Sequence, residues 1–306
     1  MRLPFHTLDV FTQQTFGGNP LGVFPDAAHL PTDLMQRIAG EMNLSETVYL
    51  GPPETPSGTA RVRIFTPKVE VPFAGHPTVG TAIFLAGRLP KPDAGARAGV
   101  RLVLEENVGP VPVEVRFEGG RPVFACFTTA QLSEHRPSPH SRAELAAMVG
   151  LDVNEVCPNG LPAEMVSCGL PYHIISVSSL DAVRRAALDL GIWRRLLART
   201  WAHHVYVVCV DAEGDQADVR VRMFAPGSGV SEDPATGSAA AALGGYLAAL
   251  DGREQGQLSW VAEQGIEMGR PSLLYVEADR EGGRTTAIRV GGHAVMVSEG
   301  TMVVPD

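Results

Sequence analysis

Runs of alternating or continuous apolar residues cover much of the chain, and most of them have the length and composition of strands. Branched and aromatic residues favour strands over helices. Such runs occupy residues 7–11, 21–24, 46–50, 100–104, 111–117, 123–129, 172–177, 204–210, 219–224, 273–277, 287–290 and 294–297. Helical spacing is rarer, as in Leu34, Met35, Ile38 and Met42. The pattern predicts a strand-rich α+β protein with few helices.

Turn motifs and helix-capping motifs predict where some of these elements begin and end. Glu118-Gly119-Gly120 separates two strand-like runs and is typical of a tight hairpin turn. Ser141-Arg142-Ala143-Glu144 has the form of a capping box and predicts a short helix behind it. Pro31-Thr32-Asp33 predicts the start of the earlier helix, which should end near Asn43.

One short pattern occurs twice. R-I-F-T-P at 63–67 leads to P-T-V-G-T-A at 77–82, and R-M-F-A-P at 222–226 leads to P-A-T-G-S-A at 234–239. In each copy a strand-like segment precedes small residues that allow a tight turn into a helix. The two helices, predicted over 78–86 and 239–250, are rich in small residues, which suits a helix enclosed by a curved sheet. The repeat predicts two halves of similar structure.

The repeat also predicts where chemistry occurs. Unpaired N–H groups and the positive end of the helix dipole meet at a helix start, so each start could hold a carboxylate or a developing oxyanion. Alignment of Pro77 with Pro234 sets His76 opposite Asp233, each just before the predicted helix. The result is a predicted two-sided active site. Asp233 also fits a simple helix N-cap, and His76 alone is ambiguous.

Glu46 is the other candidate for acid–base chemistry. It begins an otherwise apolar strand, where partial burial would raise its pKa toward the range that a general base needs. A carboxylate satisfied at the edge of the core explains the same position, and the pattern alone leaves both readings open.

Composition limits the classes of function. The chain has 306 residues, 44% of them apolar and 19% charged, so two domains are expected. A net charge of −9 without a basic cluster argues against nucleic acid and anionic membranes, and favours a small-molecule partner. The N-terminal segment lacks the apolar core of a signal peptide, and no later stretch is long enough to span a membrane. A cytoplasmic location is expected.

Motifs for metals, nucleotides and hydrolysis are missing. The sequence contains no G-x-x-x-x-G-K-[ST], G-x-G-x-x-G, H-E-x-x-H or G-x-S-x-G. Its four cysteines, at 126, 157, 168 and 209, show no paired metal spacing. We therefore expect neither a metal nor a cofactor, and buried structural thiols.

Several segments together resemble the PhzF-like phenazine biosynthesis family. They are Asn19-Pro20, residues 43–47, residues 72–81, residues 232–238, Gln264-Gly265, residues 268–272 and residues 290–292. These segments span nearly the whole chain and occur in the family's order. The resemblance implies the diaminopimelate-epimerase-like fold, with two pseudo-symmetric domains that are each a curved sheet or barrel around a central helix. It also implies an active site in the cleft between the domains, and commonly a homodimer.

The resemblance implies roles for particular residues. Glu46 would move a proton on a dihydro-hydroxyanthranilate without a cofactor, while His76 and Asp233 would assist as catalytic residues. Asn19, Ser45, Gly75, Gly237 and Ser238 are the predicted substrate-binding residues. We place the domain boundaries at residues 1–118 with 288–306, and at residues 119–287.

Three functions follow as alternatives. The first is a cofactor-independent isomerase that acts on a small cyclic or unsaturated carboxylate. The second is a non-catalytic protein that binds such a carboxylate. The third is an amino-acid epimerase, but related epimerases and racemases use a cysteine at each helix start, and this chain has His76 and Asp233 there.

Overall fold

The structure is a computed structural model that describes residues 1–27, 29–89, 99–158, 160–210 and 217–305. The chain divides into two compact units. The N-terminal unit comprises residues 1–128 and 291–306, and the C-terminal unit comprises residues 129–290. The domain boundaries proposed from the sequence stay a prediction.

The N-terminal unit is built mainly from strands. Its elements are β1 (Arg2–Val10), β2 (Asn19–Phe24), α1 (Thr32–Met42), β3 (Glu46–Gly51), β4 (Ala60–Phe65), β5 (Glu70–Val71), α2 (Gly75–Ala86), β6 (Val100–Glu106), β7 (Gly109–Glu118) and β8 (Arg121–Thr128).

The C-terminal unit repeats this alternation of strands and short helices. Its elements are β9 (Glu134–Pro137), α3 (Arg142–Val149), β10 (Glu164–Ser167), β11 (Pro171–Ser176), α4 (Leu180–Arg185), α5 (Leu190–Leu196), β12 (His204–Cys209), β13 (Val219–Ala225), β14 (Val230–Asp233), α6 (Gly237–Leu250), β15 (Gly256–Gln264), β16 (Ser272–Glu281) and β17 (Arg284–Val303). The boundary between the units falls within β17.

Strand pairing closes the N-terminal unit into a barrel. From β1 the partners follow as β2, β3, β4, β6, β7 and β8, and β17 pairs with both β8 and β1. The pairs β2–β3 and β4–β6 are parallel, and the others with a defined register are antiparallel. α2 packs against strands of this barrel and is almost entirely buried.

The C-terminal unit has the same order of pairings. β10–β11, β12–β13 and β15–β16 are antiparallel, while β11–β12 and β13–β15 are parallel. α6 lies against β10, β11, β15 and β16. The repeat seen in the sequence is therefore a repeat of topology, in which β3 corresponds to β12, β6 to β15 and α2 to α6.

Small side chains allow the two central helices to be enclosed. A Cβ added at Gly80 of α2 would lie 2.6 Å from Leu21 Cδ2 and 2.7 Å from Val10 Cγ2. A Cβ at Gly244 of α6 would lie 2.6 Å from Val276 Cγ1. Side chains at these positions would collide with the surrounding strands. The predicted curved sheet around a central helix is confirmed in both units.

The remaining helices cover the outer faces of the strands. In the N-terminal unit α1 packs Met35 and Ile38 against Tyr49 and Phe65. In the C-terminal unit α3, α4 and α5 form an apolar cluster with alternate residues of β11 and β12, including Ile175, Val205 and Val207. Because strand side chains alternate between faces, the intervening residues of those strands point toward the central helix.

Several local predictions are confirmed and others need correction. Ser141 and Glu144 form the predicted capping box, and Gly119 and Gly120 have the positive φ of a tight hairpin turn. The central helices begin earlier than expected, at Gly75 and Gly237, because their small first residues already belong to the first helical turn. The two late strands expected at 287–290 and 294–297 are parts of the single strand β17.

An ion pair holds the segment before each central helix. Arg63 Nε and Nη2 donate to the two carboxylate oxygens of Glu70 in β5, at 2.8 and 2.7 Å. Arg222 makes the same paired contact with Glu232 in β14, at 2.8 Å for both bonds. Such two-point contacts fix orientation as well as distance. The arginines that open the repeated motifs thus anchor the strands that lead into α2 and α6.

Two neighbouring carboxyl groups in β6 have opposite environments. Burial raises the pKa of Glu106 to about 8, and its Oε1 lies 2.7 Å from Thr78 Oγ1 in the first turn of α2. Thr78 Oγ1 also donates to Ala74 O at 2.7 Å. A hydroxyl has one hydrogen, so Glu106 is the donor when it is protonated. The pKa of Glu105 is instead lowered by hydrogen bonds from Thr55 and from the backbone of Glu54.

We predict that Glu106→Gln stabilises the protein at pH 8 and that the gain vanishes near pH 4.5. The unfolded state ionises Glu106 from its ordinary pKa of 4.5, whereas the folded state holds the proton to about pH 8. Wild-type stability therefore falls as pH rises between these values, by up to about 1.4 kcal/mol per pH unit. Urea unfolding at pH 4.5, 6 and 8 measures the difference.

Glu105→Gln is the matched control for this prediction. Its lowered pKa means that the ionised carboxylate contributes stability above the ordinary pKa, and that this contribution is lost as pH falls. The control should therefore destabilise the protein at pH 8. Equal effects of the two substitutions would contradict the assignment of Glu106 as a neutral acid.

Candidate active site

Glu46 is the first residue of β3. The parallel pairing of β3 with β2 places Glu46 beside Leu21. Thr47 and Tyr49 are fully buried on the alternate face, with Tyr49 packed in the α1 cluster. Glu46 therefore points toward α2, and its side chain keeps 19% exposure. A carboxyl that is mostly buried but still reached by solvent is suitably placed for proton transfer.

His76 lies in the first turn of α2 and not just before the helix, as the sequence suggested. Ala74 is the N-cap, so Gly75 and His76 are the first two helical residues. The imidazole is 5% exposed, and its Nε2 lies 3.4 Å from Glu46 Oε2. The structure thus brings together two of the three predicted catalytic residues.

The environment of His76 defines its protonation. Burial lowers its pKa to about 3, with a smaller opposing contribution from a hydrogen bond to the Pro20 backbone. Proline has no N–H, so the Pro20 carbonyl must accept from a ring N–H. Nε2 completes no hydrogen bond of its own, which makes Nδ1 the donor. The ring is neutral, and its unprotonated Nε2 is the atom that lies 3.4 Å from Glu46 Oε2.

This geometry gives the pair two states that differ by one proton. When Glu46 is protonated, its O–H can donate to the Nε2 lone pair of His76. When Glu46 is ionised, neither group carries a hydrogen between the two atoms. A hydrogen bond between these two atoms therefore requires a proton on Glu46.

The predicted binding residues of this unit lie along the same segments. Asn19 is fully buried as the first residue of β2, directly before Pro20. Ser45 is half-buried and precedes Glu46 in the chain. Gly75 begins α2, where the first N–H groups of a helix have no partner within the helix.

Asp233 is the last residue of β14 and is 8% exposed. It is not the N-cap of the second central helix, since Thr236 holds that position. Asp233 Oδ2 instead accepts a hydrogen bond from Thr236 Oγ1 at 2.5 Å. The aligned residues His76 and Asp233 therefore have different local structures, since His76 lies within its helix and Asp233 lies three residues before the N-cap of its helix.

The start of α6 carries the remaining predicted residues. Gly237 is its first residue, and Ser238 Oγ lies 2.6 Å from Tyr172 Oη of β11. Tyr172, His204 and Tyr206 are neighbours on the face that is opposite the apolar cluster of α3 to α5. Burial lowers the pKa of His204 to about 4 and raises that of Tyr206 well above 10. Both side chains are therefore neutral at pH 7.

Sequence reasoning missed two polar residues that hold this region. In the sequence, Thr236 stands out only as part of the repeated motif, and Gln264 only as part of the family resemblance. Gln264 is fully buried, and its Nε2 donates to Asp233 O at 2.7 Å and to Thr236 Oγ1 at 3.0 Å. No local pattern indicated this role, because β15 mixes polar with apolar residues and Thr236 lies 28 residues away in the chain.

The cysteines and other candidate ligands do not assemble into a second site. Within the described ranges, no three His, Cys, Asp or Glu side chains come together as possible metal ligands. Cys168 Sγ donates to Ala241 O, and burial raises its pKa to about 12, so it is not a reactive thiolate. Among the helices of the described residues, none has the length and apolar character to cross a membrane.

Two units of matching topology, each with polar residues at the start of an enclosed helix, define an epimerase-like class of protein. Comparison with known proteins identifies the family. The family model described as phenazine biosynthesis-like protein matches residues 8–300. The chain belongs to this family.

Relatives and a solved structure agree with this assignment. An uncharacterized isomerase of Mesorhizobium japonicum is 42% identical over 97% of both chains. The trans-2,3-dihydro-3-hydroxyanthranilate isomerase of Pseudomonas aeruginosa is 38% identical over 96% of both chains. The crystal structure of the Bacillus anthracis phenazine biosynthesis protein of the PhzF family has a TM-score of 0.88 at 26% identity, covering 99% of this chain and all of that one.

These matches confirm the resemblance and the diaminopimelate-epimerase-like fold predicted from the sequence. They also establish the enzyme class, because the family's named relatives are isomerases. The protein is an isomerase of the phenazine biosynthesis-like family.

We predict that the His76 ring keeps a single hydrogen, on Nδ1, from pH 8 down to pH 5. Its burial disfavours the charged form, and the Pro20 carbonyl holds the Nδ1 hydrogen. Long-range ¹H–¹⁵N spectra of the imidazole rings, recorded across this range, measure the state, and His76→Gln identifies the signals. A titration of His76 with a midpoint between pH 5 and 7 is the result that would refute this assignment.

Proposed function

We propose that the protein is a cofactor-independent isomerase that moves a proton on a small cyclic or unsaturated carboxylate. The proposed substrate class is that of trans-2,3-dihydro-3-hydroxyanthranilate, on which the Pseudomonas aeruginosa relative acts by name. The observation that carries the proposal is the mostly buried Glu46 carboxyl 3.4 Å from the neutral His76 imidazole.

In the proposed reaction Glu46 removes a proton from a carbon next to a double bond. The electron pair of that C–H bond enters the conjugated system, and Glu46 becomes a carboxylic acid. Its O–H then donates to His76 Nε2, which holds the acid in place. Glu46 returns the proton to another carbon of the same system, so that the double bond shifts and no atom is gained or lost.

The negative charge that develops on the substrate needs donors. At the start of α2, the N–H groups of Gly75 and His76 have no acceptor within the helix, and the helix dipole favours an anion there. We assign Gly75 to substrate binding on this basis, and Asn19 and Ser45 on the basis of the family resemblance. Donors that are already in place stabilise developing charge without reorganisation.

Asp233, Gly237 and Ser238 are the proposed contribution of the C-terminal unit. Asp233 assists the reaction, while Gly237 and Ser238 bind substrate at the start of α6. Support for these roles comes from the family resemblance and from the ordered hydrogen bonds of Asp233 and Ser238. The homodimer and the cytoplasmic location expected from the sequence stay predictions.

We predict that Glu46→Gln abolishes proton exchange. In deuterated water, wild-type protein should place deuterium on carbon in trans-2,3-dihydro-3-hydroxyanthranilate or in a related cyclic carboxylate, as followed by NMR. The amide cannot accept the proton, and loss of a general base typically lowers the rate by about 10²- to 10⁴-fold. Glu41→Gln, at an exposed position of α1, is the matched control and should keep the wild-type rate.

The same experiment separates the alternatives. Full exchange by Glu46→Gln would show that another group is the base. Saturable binding of the carboxylate without exchange in wild-type protein would favour the non-catalytic binding function. Inversion at one carbon without a double-bond shift would indicate epimerase chemistry instead.

A further inference from the structure

Gln264 holds the segment between β14 and α6 from one side. It is the last residue of β15 and is completely buried in the C-terminal unit. Its Nε2 donates to Asp233 O and Thr236 Oγ1, and its Oε1 accepts from the Thr236 backbone N–H at 3.3 Å. A carbonyl can only accept and an N–H can only donate, so these partners fix which end of the amide is which.

The Gln264 amide also fixes the direction of the next hydrogen bond. Thr236 Oγ1 accepts a hydrogen from Gln264 Nε2, which leaves its own single hydrogen for another acceptor. That acceptor is Asp233 Oδ2, at 2.5 Å. The three side chains form a chain of donors that ends on the Asp233 carboxylate.

The backbone just after Gln264 lies close to the same segment. Gly265 has a φ of +79°, and a Cβ there would lie 2.5 Å from Pro234 O. Ser272 Oγ lies 3.1 Å from Pro234 O and 2.9 Å from Arg270 O, and its one hydrogen is shared between these two carbonyls. The peptide that follows Asp233 is therefore enclosed by residues at the end of β15 and the start of β16, and the Thr236 hydroxyl is one contact that orients the Asp233 carboxylate.

The N-terminal unit contains an equivalent contact. Glu106 ends β6, the counterpart of β15, and contacts Thr78 in the first turn of α2. In both units the last residue of this strand is thus hydrogen-bonded to a threonine at the start of the central helix. Of these two contacts, the one made by Gln264 continues further, because its threonine, Thr236, donates a hydrogen bond to the predicted catalytic residue Asp233.

We propose that Gln264 is a positioning residue, which acts through the Thr236 hydroxyl to direct the Asp233 carboxylate for the reaction. The catalytic part of this inference rests on the proposed function of Asp233. The hydrogen-bond part does not, so the two can be tested separately.

The test compares Gln264→Met, Thr236→Val and the double variant. Methionine has nearly the length and volume of glutamine but no side-chain N–H, so it cannot donate to Thr236 Oγ1, and the Thr236 hydroxyl loses the contact that directs its hydrogen to Asp233. Valine removes the hydroxyl at nearly constant volume. Gln257→Met makes the same replacement at an exposed position of β15 and is the matched control. Urea unfolding verifies that each variant is folded.

The first readout is the titration of the Asp233 side-chain carboxyl carbon by ¹³C NMR, identified with Asp233→Asn. Loss of a donor to the ionised form should move the midpoint up by about one pH unit in either single variant. Tyr206, which interacts electrostatically with Asp233, stays neutral in this range because its pKa is well above 10. The double variant should show no additional shift beyond Thr236→Val, since both substitutions break one chain.

The second readout is turnover of trans-2,3-dihydro-3-hydroxyanthranilate. We expect kcat to fall by about 10- to 100-fold in Gln264→Met and Thr236→Val, with KM within about threefold of wild type. Thr236→Ser, which keeps the hydroxyl, should recover most of the lost turnover. Gln257→Met should match wild type in both readouts.

Two results would overturn the inference. One is an Asp233 midpoint in Gln264→Met equal to that of Gln257→Met. The other is additive loss of kcat in the double variant, which would mean that Gln264 and Thr236 act independently. A shared shift in the NMR titration, together with wild-type protein that moves no proton, would support the hydrogen-bond chain and refute the proposed function.

Discussion

The N-terminal turn of a helix enclosed by strands is the constraint on which this protein depends. Its backbone N–H groups lack partners within the helix, and the surrounding strands keep most water away. In both units a strand-end residue reaches the helix start and hydrogen-bonds a threonine there: Glu106 to Thr78, and Gln264 to Thr236. Side chains next to these threonines are held without freedom to adjust, which is the condition that a catalytic geometry requires.

Burial of polar groups at these positions has a cost that the hydrogen bonds offset. An isolated carboxylate in an apolar interior is unfavourable, and Glu106 meets the problem by retaining its proton. Gln264 meets it by being an amide, which is neutral at every pH and can donate and accept together. The difference has a chemical consequence, because the neutral acid can lose its proton at high pH and the amide cannot.

The sequence predicted those parts of this arrangement that depend on residues close together in the chain. Small residues at Gly80 and Gly244 indicated an enclosed helix, and the repeated motif indicated two such helices. Glu46 stood out because it begins an apolar strand. These signals depend on neighbours in the chain, and strand periodicity or helix composition is enough to read them.

Local sequence patterns could not predict contacts between residues far apart in the chain. The 3.4 Å contact between Glu46 and His76 joins residues 30 positions apart, and it depends on barrel closure and not on either segment alone. Similarly, the sequence allowed Asp233 to be a helix N-cap as an alternative to its catalytic role, because a carboxylate before proline has that form in isolation. Thr236 holds the cap position instead, and Asp233 O accepts a hydrogen bond from Gln264 at the end of β15.

Equal topology with unequal chemistry also explains the form of the proposed reaction. Glu46 begins β3, and its counterpart at the start of β12 is His204, whose pKa burial lowers to about 4. The same strand start therefore carries a partly exposed carboxyl in one unit and a neutral imidazole in the other. A proton shift within one conjugated molecule needs a single base that can also act as an acid, and the proposed reaction gives that role to Glu46.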